Sequence, residues 1–279
     1  MRVIAWYGRD DLRDEEWPTP SPGAGQVRVA IKACCISGLD VALSRDGCVS
    51  GLRAPVPFLL CHCAAGLVDA TGADVHDIPP GTPVAIDPLI PCGTCHQCQQ
   101  GRFNVCIRVR YLGVPPTHGA LAEYVVVPAA NIVPVDARVS FGEIACTALL
   151  AAGIHATAKA GVSSVSSLGI FGAGGIGQAC LLAARACGAR VIVMTDTNPT
   201  RLVHARQAGA EHVITAGTQS VADDILEMTD GNGLEIALVA TSAPQALNDA
   251  IAAAAPGGRV AIVNMPHEPD LSYAASQAR

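Results

Sequence analysis

Charge is scarce in this chain. Of its 279 residues only 15% are Asp, Glu, Lys or Arg, and aromatic side chains make up 4%. Low charge with a mean hydropathy of +0.36 excludes an intrinsically disordered chain, which pairs low hydrophobicity with high net charge. Clusters of Lys and Arg are absent, and the formal net charge is −6, so the electrostatic basis of general nucleic-acid binding is missing. An apolar leader is lacking as well, because residues 1–16 already hold Arg2, Arg9, Asp10, Asp11, Arg13, Asp14, Glu15 and Glu16. This predicts a cytoplasmic protein. A membrane span is not expected. The uncharged stretch 160–184 carries six Gly and four Ser, whereas a spanning helix needs about 20 predominantly apolar residues.

Half of the residues are hydrophobic, and there are 28 Gly, 19 Pro and 12 Cys. The length suits one large domain or two ordinary ones, with enough chain to bury a core. In a reducing compartment twelve cysteines point to metal binding or catalysis rather than disulfides.

The first half reads as β-rich. Short apolar or alternating runs at 2–6, 26–33, 83–87 and 122–128 are separated by Pro- and Gly-rich punctuation at 18–23 and 79–81. Such a pattern predicts a small barrel-like β domain. Residues 141–159, rich in Ala and Leu, are expected to be helical. Beyond 167 the rhythm changes. Strands are expected at 168–171, 190–196, 212–215, 236–241 and 259–264, alternating with helices at 178–187, 199–208, 221–229 and 244–255. This alternation predicts an α/β fold with a doubly wound parallel sheet. The expected division is a β domain over 1–145 and a nucleotide-binding domain over 146–279.

Gly172-Ala173-Gly174-Gly175-Ile176-Gly177 matches G-x-G-x-x-G between an expected strand and an expected helix, and Asp196 closes the next strand 22 residues after Gly174. Glycines let backbone approach a pyrophosphate, whose charge meets the free N–H groups at the helix start. Asp196 would accept hydrogen bonds from the ribose diol and repel a 2′-phosphate, which favours NAD over NADP. The plainer alternative is a tight turn whose Asp caps the next helix. Arg201 either neighbours the adenine or is a solvated charge, and Thr241 follows the fourth strand at the edge where cofactors bind.

Cys92, Cys95, Cys98 and Cys106 form C-x2-C-x2-C-x7-C within residues 91–108. Four thiolates this close can surround one tetrahedral Zn²⁺ in a closed, structural site. The proline-linked pattern of ferredoxin clusters is absent.

This cluster, followed by Arg110-Tyr111-Leu112-Gly113 and by the run from Gly119 to Pro128, resembles the zinc-containing medium-chain alcohol dehydrogenases, in particular the polyol, sorbitol and threonine dehydrogenase branch. The resemblance extends over about 1–266. It implies an N-terminal GroES-like β domain joined to a Rossmann domain, and reversible alcohol oxidation with hydride passing to a nicotinamide. It also implies a catalytic zinc, but the positions that should hold it differ. The family's C-G-I-C-G-[ST]-D stands here as Cys34-Cys35-Ile36-Ser37-Gly38-Leu39-Asp40, and its G-H-E as Cys61-His62-Cys63. The expected ligand Cys is Ser37, the expected relay hydroxyl is Leu39, and the branch's Glu-Pro becomes Ala148-Leu149. Only His62 remains, with Asp40 as its partner, and Ser is a poor zinc ligand.

Three readings follow. His62 braced by Asp40 works as a general acid/base without metal. Alternatively His62 and Cys63, with Cys34, Cys35 or Cys61, rebuild another metal site, which requires a bend because neighbours on a strand face opposite ways. In the third, Asp40 and His62 are a buried structural pair. His155 is expected to be packed or half-exposed, and Cys146, Cys180 and Cys187 to be small core residues.

Relatives usually continue further, so a missing sixth strand is expected, leaving an uncovered edge that pairs with another chain or is covered by residues 267–279. The expectation as a whole is an NAD-linked oxidoreductase of a polyol or secondary alcohol, holding one structural zinc and forming a homo-oligomer. Its competitor is a non-catalytic dinucleotide-binding scaffold.

Overall fold

The computed structural model describes all residues except 50, 165, 190, 218–219, 265–271 and 274–279. The chain divides into two compact units, Met1–Ala148 and Leu149–Arg279.

In the first unit an antiparallel five-stranded sheet runs Tyr124–Pro128, Gln26–Cys35, Cys63–Thr71, Pro83–Ile86, Ile132–Pro134. Alternate residues such as Val27, Val29, Val125 and Val127 point inward and are buried, as the period of a half-buried strand requires. The central pair, Gln26–Cys35 with Cys63–Thr71, carries two register shifts, and bulges of this kind bend a sheet toward closure. A second sheet holds Asp11–Glu16, Arg2–Gly8 and Phe58–Leu59. The strand Cys63–Thr71 and the helix Gly38–Asp46 lie outside the sequence expectation, since neither carries a clear hydrophobic period. The helix expected over 141–159 is two helices, Phe141–Ala145 and Thr147–Ala160, meeting at Cys146.

The second unit is a five-stranded parallel sheet. Its order is His212–Thr215, Val191–Asp196, Ser167–Phe171, Leu234–Val239, Ala254–Ile262. This is the doubly wound order 3-2-1-4-5. Leu168, Ile170, Phe171, Met194 and Leu238 are fully buried at its centre, which explains why these strands read as continuous apolar runs. The uncharged stretch 160–184 becomes the strand Ser167–Phe171, a glycine turn and the helix Gly175–Ala186. Among the described residues no helix is long and apolar enough to cross a membrane. The last strand begins at Ala254, five residues earlier than expected. Leu234 pairs with Ala254 and Ile236 with Arg259, so the Pro256-Gly257-Gly258 segment is accommodated by a bulge. Most of the tail 267–279, expected to cover this edge, lies outside the described residues.

Candidate functional site

The glycine turn is built for close approach. Gly172 has φ +108°, and a Cβ there would come within 2.9 Å of the Thr241 Cβ. A side chain at Gly177 would overlap the Gly172 carbonyl oxygen, so the helix starting at Gly175 sits tight against the strand before it. Gly174 is the N-cap and offers no side-chain acceptor. The first N–H groups of a twelve-residue helix therefore stay open to an anion. Asp196 is buried at the end of its strand, where Oδ2 accepts from Ala173 N at 2.8 Å and Oδ1 from Asn198 N at 2.8 Å. Arg201, more than half exposed, approaches Asp196 Oδ2 at 3.6 Å. Ile176 is partly buried against the core of this unit. Asn198, not Asp196, caps the helix Pro199–Ala208. Asp196 thus ties the strand end to the glycine turn, a linkage the motif alone did not reveal.

The four cysteines of the 91–108 lobe bring their sulfurs within 4.8 Å of one another. Individual S···S separations are 3.5 Å for Cys95–Cys98, 3.9 Å for Cys95–Cys106 and 4.0 Å for Cys92–Cys98. Four thiolates at about 2.3 Å from one tetrahedral zinc would be roughly 3.8 Å apart, so the donor set fits that ion. Polar hydrogens point at two of these sulfurs. Cys106 Sγ accepts from Cys92 N and Arg108 N, and Cys92 Sγ accepts from Arg108 Nη2 at 3.5 Å. The N–H of Thr94 above all, then those of Cys95 and Arg108, pull the Cys92 thiol down to about 5.

The third cluster surrounds His62. Ser37 is the N-cap of the helix Gly38–Asp46, and its hydroxyl accepts from Leu39 N and Asp40 N. Asp40 answers in a capping box, its Oδ2 accepting from Ser37 N and Ser37 Oγ, both at 2.8 Å. Asp40 Oδ1 takes the Cys61 N–H at 2.8 Å. Burial pushes this carboxyl up, but the neighbouring imidazole and the Ser37 donors more than offset it, leaving Asp40 below its ordinary value. His62 Nδ1 lies 3.8 Å from Asp40 Oδ2. That is beyond hydrogen-bond length, and Nδ1 is buried without a hydrogen-bond partner among the described residues. Cys61, at φ +76°, makes the bend before the strand Cys63–Thr71. Residues 119–121 hold the bend from the other side, with Gly119 N bonded to Leu59 O, Ala120 N to Cys61 O and Leu121 N to Leu60 O.

The bend that a rebuilt metal site requires is therefore present, yet the ligands do not converge. Among the described residues, the 91–108 cysteines form the only set of three or more His, Cys, Asp or Glu ligand atoms so gathered. Cys63 is buried, and burial first of all raises its thiol to about 12. Two lesser expectations need correction. Cys180 is a core residue, but Cys146 and Cys187 are exposed because both end helices as C-caps. His155 is exposed on the helix Thr147–Ala160.

Known proteins share this arrangement. Residues 23–137 match the alcohol dehydrogenase GroES-like domain, and residues 175–276 match the zinc-binding dehydrogenase domain. Sorbitol dehydrogenase of Bacillus subtilis is 31% identical over 271 residues, covering 97% of this chain and 77% of its own length. This chain belongs to the zinc-binding medium-chain alcohol dehydrogenase family. An alcohol dehydrogenase of Escherichia coli CFT073 complexed with NADH superposes with a TM-score of 0.89 at 25% identity, covering 99% of this chain and 80% of its own. A structure from Sinorhizobium meliloti 1021 bound to NADP gives 0.90 at 25% identity, with coverage of 99% and 80%. Family membership makes the fold that of a GroES-like domain with a Rossmann-type parallel sheet. The Ser37 hydroxyl is occupied with capping, and position 148 is Ala.

Proposed function

We propose that this dehydrogenase-family chain is an NAD(H)-linked oxidoreductase of polyols or related secondary alcohols that works without a catalytic zinc. In this reading residues 1–145 carry the acid–base machinery and residues 146–279 hold the dinucleotide. The observation that carries the reading is the His62–Asp40 pair, a buried imidazole beside a carboxylate fixed by three N–H or O–H donors.

A nicotinamide, when bound, supplies the hydride acceptor or donor. Gly172, Gly174, Gly175, Ile176 and Gly177 would receive the pyrophosphate at the helix start, with Thr241 against the turn. Asp196 uses one oxygen on Ala173 and the other on Asn198. Each keeps acceptor capacity for a ribose diol, and its charge disfavours a 2′-phosphate. A small rotation closing the 3.8 Å gap to Asp40 would fix the proton on His62 Nδ1 and leave Nε2 as the base. Such bonds are commonly long before substrate binds. Nε2 would take the alcohol proton, and Asp40, held below its ordinary pKa, would stabilise the imidazolium. Ser37 orients Asp40, and Cys63 lies beside the pair as the first residue of its strand. Cys92, Cys95, Cys98 and Cys106 would hold one structural zinc. The twelve free thiols fit a reducing, cytoplasmic setting. The edge strand Ala254–Ile262, paired on one side among the described residues, favours a homo-oligomer.

One observation supports a second reading, a non-catalytic dinucleotide-binding protein. Both Asp40 oxygens are already engaged, in the capping box and with the Cys61 N–H, which is all that a structural role needs. NADH fluorescence titration followed by an alcohol and ketone panel separates the two. The lead reading expects turnover that His62→Ala lowers by about 10²- to 10⁴-fold while NADH affinity is unchanged. A wild type that binds NADH and turns over nothing would establish the second.

A further inference from the structure

We propose that the Tyr111 hydroxyl is the hydrogen-bond donor that anchors the substrate oxygen beside His62. This rests on the dehydrogenase reading of the His62–Asp40 pair, but it concerns a residue outside that pair.

Four observations carry it. The Tyr111 ring packs on the His62 imidazole with centroids 5.6 Å apart and planes at 53°. Its strand, Arg110–Tyr111, is fixed by antiparallel pairing with Leu89–Ile90, so the ring is held by sheet rather than by a loose loop. The side chain is only partly buried, and no described residue forms a hydrogen bond with its hydroxyl. A buried tyrosine normally finds a partner for that group, so an unpaired one with access to solvent is free for a ligand. Burial, first of all, raises the tyrosine well above its ordinary value. It therefore remains a neutral donor throughout the working pH range.

Two other positions cannot supply such a group. The position expected to bear a relay hydroxyl is Leu39, and the Ser37 hydroxyl is spent on Asp40 and the helix start. Without a metal ion, a carbonyl oxygen that gains negative charge needs a fixed donor. His62 can exchange the proton but cannot simultaneously be the permanent donor. Tyr111 keeps its own proton and donates one hydrogen bond, so no bond is made or broken at the phenol.

The test uses Tyr111→Phe, which preserves ring packing against His62, in the full chain with NADH. Three quantities are read: NADH affinity, kcat/KM over an alcohol and ketone panel, and binding of isobutyramide to the NADH complex by saturation-transfer NMR. Isobutyramide is a carbonyl analogue that accepts no hydride. The expected result is unchanged NADH affinity, kcat/KM down by about 10²-fold and loss of amide binding. An active wild type whose Tyr111→Phe variant keeps both turnover and amide binding overturns the proposal. If the wild type turns over nothing yet binds the amide through Tyr111, the dehydrogenase reading falls and the oxygen anchor stands. No amide binding by the wild type overturns the anchor, whatever the turnover. Should Tyr111→Phe not fold, the carbonyl ¹³C shift of bound isobutyramide in the wild type decides. A downfield shift that survives in His62→Ala supports the anchor, and an unshifted carbonyl overturns it.

Discussion

Asp40 does three jobs with two oxygens, and this makes it the most informative single residue. It completes the capping box with Ser37, holds the Cys61 N–H at a left-handed bend, and faces His62. Its folded pKa is depressed, so its contribution to stability is present above the unfolded value of about 4 and is lost as pH falls through the lower folded value. Melting temperature against pH should therefore fall more steeply below about pH 4 for the wild type than for Asp40→Asn. The variant should also be less stable at pH 7. A wild type and variant with parallel acid limbs would remove this role. Ser37 offers a cleaner test of whether it is a cap or a degraded metal ligand. Ser37→Ala should cost about 1 kcal/mol in denaturant unfolding and leave the zinc content unchanged.

Elements differ in how much of them could be read in advance. The strand–turn–helix at 167–186 was legible because its glycines are dictated by contact. A methyl at 177 would strike the Gly172 carbonyl oxygen, so Gly177→Ala should lose about 1–3 kcal/mol and most NADH affinity together, as calorimetry and fluorescence titration would show. The cysteine lobe was legible for a similar reason, since four ligands within fifteen residues leave few other uses. The strand Cys63–Thr71 was not. Its Ala- and Gly-rich sequence is buried on both sides for its first residues, so it shows no alternation for a period-based reading to catch. The short helix Gly38–Asp46 was missed because its identity lies in a cap, Ser37 with Asp40 at the third helical position. That signal could have been found in the S-x-x-D spacing. Tyr111 entered only as part of a resemblance, because nothing local marks it. What makes it interesting is His62, 49 residues earlier in the chain, whose ring the fold brings within 5.6 Å of its own.

At the scale of the whole molecule, the proposed reading gives the two units separable duties, so they should respond to separate insults. Chelation of the lobe zinc should loosen residues 91–108 and accelerate proteolysis there while NADH binding persists. Hydrogen exchange before and after chelation, with and without NADH, would show it, and loss of NADH binding on chelation would argue against separable duties. Ser37 and Ala148, at positions where the resemblance implies metal ligands, are what turn a family resemblance into a specific proposal for this chain. The central claim is that oxidoreduction here proceeds through His62 and Asp40 with zinc confined to the cysteine lobe. The measurement that tests it most directly is zinc per chain, determined on protein in the act of turning over an alcohol with NAD. One zinc per chain is the predicted result; two, with the rate falling as the second is withdrawn, would contradict it.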